Sequence, residues 1–289
     1  MSTPARDDAA VAGPATTQGP GGLVPALKAG VRRVLGIDPQ SDVTPLARLR
    51  WIGSQTHGYM VPESLLDARS TCYCVGAGED ITFDTELAET FGCRVRILDP
   101  TPVGTRHYAL VREKVLAGEP LWSQNGEPFR YRISPERLAL LKYLEVGVWD
   151  TATTLRFYEP TKENYPSYSV AMFQESGRYI EAPVDRLSAI MRREGDASID
   201  LLKLEIEGAE YKVLETIVAD RPDIKAILVE FDEVWHVKGT RAHFFRIRDA
   251  SRALIRAGWR LAHSTPMFKR LFVREDEFAR LSAGRPRPA

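Results

Sequence analysis

The residues best suited to chemistry follow two short apolar runs of the chain. After Cys72–Val75 comes a glycine turn, Gly76-Ala-Gly-Glu-Asp80, and Val95–Leu98 ends at the carboxylate of Asp99. A glycine turn lets a ligand approach the backbone closely, because glycine has no Cβ. A carboxylate at the tip of the next strand can accept both hydroxyls of a ribose. Together the two features predict a nucleoside-binding crevice, although a glycine turn alone also occurs for purely structural reasons.

The charge of the turn narrows the class of ligand. Glu79 and Asp80 lie in the turn, and Ile81 stands where the dinucleotide-binding fingerprint has its third glycine. Two carboxylates are electrostatically unfavourable beside a pyrophosphate. They favour a ligand that carries positive charge, such as the amino group and sulfonium of S-adenosylmethionine. A nicotinamide-dependent oxidoreductase on a similar sheet is the alternative, and it predicts NADH binding.

A second group of charged residues lies in and after two later apolar runs. Lys203, Glu205 and Glu207 alternate along the chain and therefore share one face of a predicted strand. Unpaired buried charge is costly, so the pattern predicts either an ion pair with Lys203 or catalytic roles for Glu205 and Glu207. Glu230 and Asp232 end the next predicted strand, and with Glu205 they are candidate Mg²⁺ ligands. The alternative is that these acidic strand ends are solvated loops.

The sequence also offers a general base. His236 follows the tip of the predicted strand Ile224–Phe231, and an imidazole that titrates near neutrality can deprotonate an attacking alcohol. A surface or packing histidine is the alternative interpretation of His236. His57 and His107 are weaker candidates for the same role.

Short apolar strands alternate with helical segments after Thr71, which favours an α/β sheet with parallel strands. Ligands bind outside the carboxyl ends of such strands, and this rule places Asp99, Gly147–Asp150, Glu205–Glu207 and Glu230–Asp232 with the glycine turn around one crevice. The predicted strands are Cys72–Val75, Val95–Leu98, Leu144–Trp149, Ile199–Ile206, Ile224–Phe231, and a terminal antiparallel pair, Trp259–His263 with Arg270–Val273. An inserted hairpin is predicted over Thr154–Tyr158 and Ser169–Phe173, followed by an extended segment at Tyr179–Val184. The predicted helices are Leu23–Leu35, Thr44–Ile52, Thr82–Phe91, Gly104–Ala117, one that begins after Ser134, Asp185–Arg193, Gly208–Ala219 and Phe244–Ala257.

Five segments of the chain resemble the FkbM-type family of S-adenosylmethionine-dependent methyltransferases. They are Val75–Asp84, Gly92–Pro102, Val146–Trp149 with Leu155–Tyr158, and Ile199–Tyr211, in the family's order within residues 56–275. The family usually has Asp where this chain has Glu205. The resemblance implies a Rossmann-like, seven-stranded class I methyltransferase sheet with a reversed final strand and helices on both faces, preceded by an N-terminal helical extension over residues 23–55.

The resemblance also implies roles for individual residues. The turn would run beneath the methionine part of S-adenosylmethionine, Asp99 would hold the ribose, and Tyr59 would reach the methionine end. The backbone of Gly147–Trp149 would lie beside adenine, with packing under the sheet edge as an equal interpretation of Trp149. The implied cofactor-binding residues are Tyr59, Gly76, Ala77, Gly78, Glu79, Asp80, Asp99, Pro100, Gly147, Val148, Trp149 and Glu205. The expected activity is O-methylation of a hydroxyl on a small molecule, natural product or sugar; a non-catalytic cofactor-binding protein is a further alternative.

Composition excludes other classes of partner. The 289 residues include 39 Lys+Arg and 39 Asp+Glu, and this balance gives no general attraction to nucleic acid or to an anionic membrane. Three cysteines argue against a disulfide framework and predict buried thiols in a reducing cytoplasm. Residues 1–22 lack the apolar stretch of a signal peptide and are predicted to be disordered, and residues 276–289 to be a helix end and tail. A homodimer formed through the N-terminal helices stays open.

Overall fold

The computed structural model describes residues 30–122, 128–129, 131–159, 178–206, 208–231, 242–266, 268–285 and 287. Its strands are β1 Leu49–Ile52, β2 Tyr59–Pro62, β3 Thr71–Val75, β4 Arg94–Leu98, β5 Leu121–Trp122, β6 Pro128–Phe129, β7 Leu141–Leu144, β8 Gly147–Val148, β9 Thr153–Tyr158, β10 Tyr179–Asp185, β11 Ile199–Leu204, β12 Ile224–Glu230, β13 Trp259–Ser264 and β14 Lys269–Arg274. The helices are α1 Thr82–Phe91, α2 Pro102–Ala117, α3 Leu187–Glu194, α4 Glu210–Asp220, α5 Ala242–Arg256 and α6 Glu275–Ser282, with a 3₁₀ helix at Pro135–Leu140. Residues 30–34 are also helical.

The main sheet has seven strands in the order β13-β14-β12-β11-β3-β4-β7. Strand β3 pairs in parallel with β4 and β11, β4 with β7, and β11 with β12. Strand β14 runs antiparallel to both of its neighbours, β12 and β13. The predicted α/β fold class and the reversed final strand are therefore confirmed.

Both faces of this sheet are covered. Cys72 and Cys74 of β3 point into a core shared with α1, α2 and the β1–β2 hairpin, and Tyr73 and Val75 point into a core shared with α3, α4 and α5. A parallel sheet covered on both faces needs apolar residues at every position of its strands, which explains the fully buried run of β3. Each large side chain buried in these cores contributes about 1.5–3 kcal/mol to folding.

The helices next to the site begin and end at residues with local reasons to do so. Helix α1 ends at Gly92, whose φ of 67° is left-handed and whose N–H donates to Ala88. Helix α2 begins after Thr101, whose side chain accepts a hydrogen bond from the Gly104 N–H, and Pro102 occupies its first turn. The predicted helix Thr82–Phe91 is confirmed with the same first and last residues.

Two predicted elements are wrong. Part of the predicted helix Thr44–Ile52 is strand β1, which pairs with β2 across the turn that we call the hairpin turn, residues 53–58; this pairing crosses the predicted domain boundary after residue 55. The spacing of Leu46, Leu49 and Ile52 suited a helix, but Ile52 is buried through a hairpin packed beside α1. The third sheet strand is Leu141–Leu144 instead of Leu144–Trp149. The chain turns after Leu144, where the Val146 N–H donates back to the Leu144 carbonyl at 2.8 Å, and Gly147–Val148 joins another sheet.

That second sheet has the order β8-β10-β9. The predicted extended segment Tyr179–Val184 is confirmed within β10, which is the antiparallel partner of β9. The segment Ser169–Phe173, predicted to pair with β9, lies outside the described residues, as do residues 1–29. Of the predicted helix Leu23–Leu35, only residues 30–35 are described. The other predicted helices and strands agree with the structure to within about two residues, although Ser134 precedes a short 3₁₀ helix and its side chain donates to Glu89. None of the helices in the described ranges combines the length and the apolar composition needed to cross a bilayer.

Candidate active site

The two glycines of the turn serve different purposes. Gly76 has a φ of +89°, and a Cβ placed on it would lie 1.9 Å from the Glu205 carbonyl oxygen, so its glycine is required by the packing of β3 against β11. Gly78 has a φ of +49°, and a Cβ placed on it would meet no described atom within 4 Å. Of the two, Gly78 therefore leaves room for a ligand.

Asp99 clamps the turn to the end of β4. Its Oδ2 accepts hydrogen bonds from the N–H groups of Ala77 and Gly78, both at 2.9 Å. Its Oδ1 accepts from the backbone N–H of Thr101 at 2.8 Å and from the Thr101 hydroxyl at 2.7 Å. A carboxylate offers about four lone-pair positions, and these contacts use all of them. The ribose role of Asp99 stays a prediction, and it requires a ribose hydroxyl to replace or share one of these bonds.

The predicted adenine side of the site lies next to Asp99. A Cβ placed on Gly147 would lie 3.3 Å from Cγ of Pro100 and 2.9 Å from Cγ1 of Val184, so the structure brings Pro100 and Gly147 together. Val148 is buried in the core that the main sheet shares with α3, α4 and α5. Trp149 donates its backbone N–H to Asp185 and packs its ring on the small core of the second sheet, which is the packing interpretation. A place beside adenine stays a prediction for the backbone of this segment.

Asp80 has a structural task that the sequence did not indicate. Its Oδ1 accepts a hydrogen bond from the N–H of Thr82, the first residue of α1, at 2.8 Å. Its Oδ2 accepts from the Ser54 hydroxyl at 2.9 Å and so binds the hairpin turn to the glycine turn. The Ser54 N–H also donates to the Thr82 hydroxyl at 3.0 Å. The expectation that Asp80 faces a positively charged ligand is thus weakened, whereas Glu79 stays a half-buried candidate.

A buried ion pair lies beneath the turn. Lys203 has 1% of its side chain exposed, and its Nζ lies 2.9 Å from Oε2 of Glu205 and 3.3 Å from the Gly76 carbonyl oxygen. Burial opposes the charge of Lys203, yet the carboxylates of Glu205 and Asp84 outweigh it and raise the pKa of Lys203. Burial likewise opposes the charge of Glu205, but Lys203 and His57 prevail and lower the pKa of Glu205. The ion-pair interpretation is therefore observed, and the low pKa disfavours Glu205 as a proton acceptor.

Tyr59 joins this pair to a second one. Its hydroxyl lies 3.2 Å from Oε2 of Glu205 and 3.3 Å from Oε2 of Glu230. Lys269 places its Nζ 2.9 Å from the same Glu230 oxygen. Burial and the nearby Glu205 raise the pKa of Glu230, against the attraction of Lys269. Because each carboxylate already has a lysine partner, and the described residues contain no group of three potential metal ligands, we assign no metal to Glu205 and Glu230. The third candidate, Asp232, lies outside the described residues.

His57 is brought into the site by the hairpin turn. Its Nδ1 lies 3.0 Å from Oε1 of Glu205, while 49% of its side chain is exposed. The hydrogen bond to Glu205 raises the pKa of His57, and burial opposes this shift. His107 lies elsewhere, with Nε2 at 2.6 Å from the Tyr131 hydroxyl, and burial lowers its pKa. The predicted catalytic residues His236 and Glu207 lie outside the described residues.

Asp84 is a residue of this region that was not predicted from the sequence. It is fully buried, and neither carboxylate oxygen has a hydrogen-bond partner of good geometry within the described ranges. Burial raises the pKa of Asp84, and the attraction of Lys203 opposes this shift. Its sequence signal is a carboxylate in the first turn of α1, on the otherwise apolar face of the helix that also carries Leu87 and Phe91.

Comparisons with known proteins give one family match. The family model described as "Methyltransferase FkbM domain" matches residues 28–254. Among solved structures, the fibrillarin pre-rRNA processing protein of Methanococcus jannaschii has 10% identity and a TM-score of 0.37, with 73% of this chain and 69% of that chain covered. The METTL16 MTase domain has 9% identity and a TM-score of 0.36, with 71% and 59% covered. Similarities this weak carry no argument about function. No curated protein matches the sequence.

Proposed function

Because the chain belongs to the FkbM methyltransferase domain family, we propose that it transfers the methyl group of S-adenosylmethionine to a hydroxyl of a small molecule, natural product or sugar. The observation that carries this proposal is the arrangement of the glycine turn and Asp99. They meet at the carboxyl ends of two neighbouring parallel strands, β3 and β4, where α/β sheets bind ligands.

The residues present fit S-adenosylmethionine. Among the described residues, no atom lies within 4 Å of a Cβ placed on Gly78, which would leave room there for the methionine part of the cofactor. Asp99 lies beside the turn and would bind the ribose by exchanging one of its present hydrogen bonds. Pro100 and Gly147, which lie next to each other, would form one wall of the adenine site. When bound, the cofactor supplies an electrophilic methyl carbon on a sulfonium centre.

The chain's own contribution to this reaction is to hold the two reactants in the correct relative positions. Proximity and orientation alone can lower the barrier of a two-reactant step by several kcal/mol, on the order of 7–11 in well-oriented cases. The hydrogen bonds that join the hairpin turn to Asp80 and the glycine turn to Asp99 keep both turns in fixed positions for that purpose. Catalytic roles for Glu207 and His236 stay predictions, and the lowered pKa of Glu205 makes a proton-accepting role unfavourable.

The proposed setting is the cytoplasm, with a small-molecule or sugar acceptor as the partner. All three cysteines are free and buried, which is compatible with a reducing compartment. Cys72 and Cys93 place their sulfurs 3.7 Å apart without a disulfide. A homodimer stays a prediction.

Titration calorimetry tests the proposal on the full chain. We expect S-adenosylmethionine and S-adenosylhomocysteine to bind at one site per chain, and NADH to give no binding heat. Circular dichroism establishes that the sample is folded. Absence of S-adenosylmethionine binding by folded protein would refute the proposed function, and binding of NADH instead would favour an oxidoreductase. Transfer of a radiolabelled methyl group to a panel of hydroxylated compounds then separates an enzyme from a non-catalytic binder.

A further inference from the structure

The contact between His57 and Glu205 fixes which nitrogen of the imidazole is available for chemistry. Glu205 is an ionised carboxylate and accepts a hydrogen bond, so the neutral His57 ring carries its proton on Nδ1, at 3.0 Å from the Glu205 oxygen. The lone pair of the neutral ring then lies on Nε2. Within the described part of the chain, that nitrogen has no hydrogen-bond partner, and about half of the side chain is exposed.

Both residues of this pair are held in place. Glu205 is fixed by three groups, since Lys203 and Tyr59 contact one of its oxygens and His57 the other. The backbone of His57 is fixed by its N–H, which donates to the Ser54 hydroxyl at 3.0 Å. Ser54 in turn donates to Asp80 of the glycine turn, so the imidazole is positioned relative to the proposed cofactor site.

We propose that His57 is the catalytic base that takes the proton from the acceptor hydroxyl, and that Glu205 is the residue that positions it. The inference rests on the proposed function and adds the identity of the proton acceptor. It differs from the sequence-based prediction of His236, which lies outside the described residues and stays a prediction.

In the proposed step, the acceptor O–H bond breaks and its proton moves to Nε2 of His57. The electron pair released on oxygen forms the new bond to the methyl carbon. The pair of the carbon–sulfur bond leaves with the sulfur, so the products are a methyl ether, S-adenosylhomocysteine and an imidazolium. The imidazolium returns its proton to solvent through the exposed side of the ring.

The surroundings of His57 suit this task. The charges that influence the pKa of His57 are those of Glu205, Asp80 and Lys203. The charge of His57 in turn influences the pKa of Glu230, which also contacts Tyr59 and Lys269. The hydrogen bond to Glu205 dominates and makes the ring a stronger base than a free imidazole, with burial as the opposing effect. A base must be unprotonated to work, so the transfer rate rises as pH increases through the raised pKa of His57 and falls below it.

Nitrogen-15 NMR of the imidazoles tests the pair before the acceptor is identified. At high pH, we expect the wild-type His57 ring to show a protonated Nδ1 and a bare Nε2, with a pKa above 6.5. In Glu205→Gln, the pKa of His57 should fall and the preference between the two nitrogens should weaken. His57→Asn assigns the signals, because the Asn amide keeps the hydrogen bond to Glu205 and removes Nε2. His263, on β13, is the reference ring.

The second part of the experiment repeats the NMR measurement with saturating S-adenosylhomocysteine. We expect it to shift the His57 signals and to leave those of His263 unchanged. With any hydroxyl acceptor that the radiolabel panel provides, His57→Asn should lower kcat by about 100-fold or more while cofactor affinity stays within about threefold.

The outcomes separate this inference from the proposed function. If calorimetry shows no cofactor binding, the proposed function fails first. If S-adenosylhomocysteine binds but His57 does not respond, or if the proton resides on Nε2, the assignment of His57 as the base is wrong. Should Glu205→Gln fail to fold, the wild-type and His57→Asn spectra decide alone.

Discussion

Replacement of Lys203 by methionine is the sharpest test of the charge arrangement beneath the glycine turn. Lys203 is almost completely buried, and it compensates two carboxylates, Glu205 at 2.9 Å and the fully buried Asp84, which has no good hydrogen-bond partner among the described residues. The methionine side chain is unbranched and apolar like the stem of lysine, but it lacks the ammonium group. Removal of one partner from a buried ion pair typically costs about 3–5 kcal/mol, because the remaining charge is left uncompensated. We therefore expect Lys203→Met to lower the free energy of unfolding by about that amount at pH 8.

The pH dependence of the free energy of unfolding provides a second, independent test of the same prediction. In the wild type, the pKa of Glu205 is lowered, so its stabilising contribution is present above its unfolded pKa and is lost as pH falls through the folded value. In the variant, Glu205 and Asp84 lose their cation. The folded pKa of Glu205 should then rise above its unfolded value, and the folded pKa of Asp84, which burial already raises, should rise further. A carboxylate with a raised folded pKa destabilises the folded state when it is charged, and this loss of stability disappears when the carboxylate is protonated. The difference between wild type and variant should thus be largest at pH 8 and shrink towards pH 5.

Urea unfolding at the two pH values measures both effects. Lys142→Met is the matched control, because Lys142 on β7 makes an ion pair with Glu194 at 2.6 Å but is 53% exposed. Lys142 is exposed to water, and Glu194 keeps Arg96 as a second partner at 3.6 Å, so this control should change the free energy of unfolding by no more than about 1 kcal/mol. A loss below about 1 kcal/mol for Lys203→Met, or an equal loss at pH 8 and pH 5, would contradict the reasoning.

Three further predictions concern the turn and its supports. Gly76→Ala should severely destabilise the fold, because its Cβ would lie 1.9 Å from the Glu205 carbonyl oxygen. Gly78→Ala should still fold, at a cost of about 1–2 kcal/mol for the left-handed backbone of this residue. Calorimetry should show that Gly78→Ala binds S-adenosylhomocysteine more weakly than the wild type does. Asp99→Asn should cost about 1.5–3 kcal/mol in urea unfolding, because an amide NH₂ cannot accept the hydrogen bonds that one carboxylate oxygen accepts; an unchanged midpoint would be the opposing result. Tyr59→Phe should lower the free energy of unfolding by about 0.5–3 kcal/mol and keep its fold, since the ring still packs on Phe83. A larger loss would contradict this expectation, because the single hydroxyl proton is shared between two long contacts, to Glu205 and to Glu230.

The main sheet was predictable because its central strands are buried on both faces. Strands such as β3 and β11 are buried on both faces, so their sequences are continuous apolar runs bounded by turns. The hairpin strand β1 was not predictable from spacing, because its short segment fits a helix equally well until its partner β2 is known. The end of β7 was missed for a similar reason: Val146–Trp149 is an apolar run, but its hydrogen bonds go to β10.

The site was predictable in outline and not in its contacts. The rule for parallel sheets correctly grouped the ends of β3, β4, β11 and β12, because it depends on chain direction alone. The partners of Asp80, Lys203 and His57 depend on the hairpin turn, whose first residues the sequence pattern had placed in a separate extension. A histidine two residues before Tyr59, and a lysine two residues before Glu205, were the available signals.

The hydroxyl of Tyr59 ties together carboxylates that are 146 and 171 residues further along the chain. The crevice consequently forms only when the whole domain has folded, and any compound that binds there binds the folded state alone. By mass action, a ligand present at 100 times its Kd raises the free energy of unfolding by about 2.7 kcal/mol. A melting-temperature screen in the presence of S-adenosylhomocysteine can therefore find acceptor molecules directly, without turnover and before any methylated product has been identified.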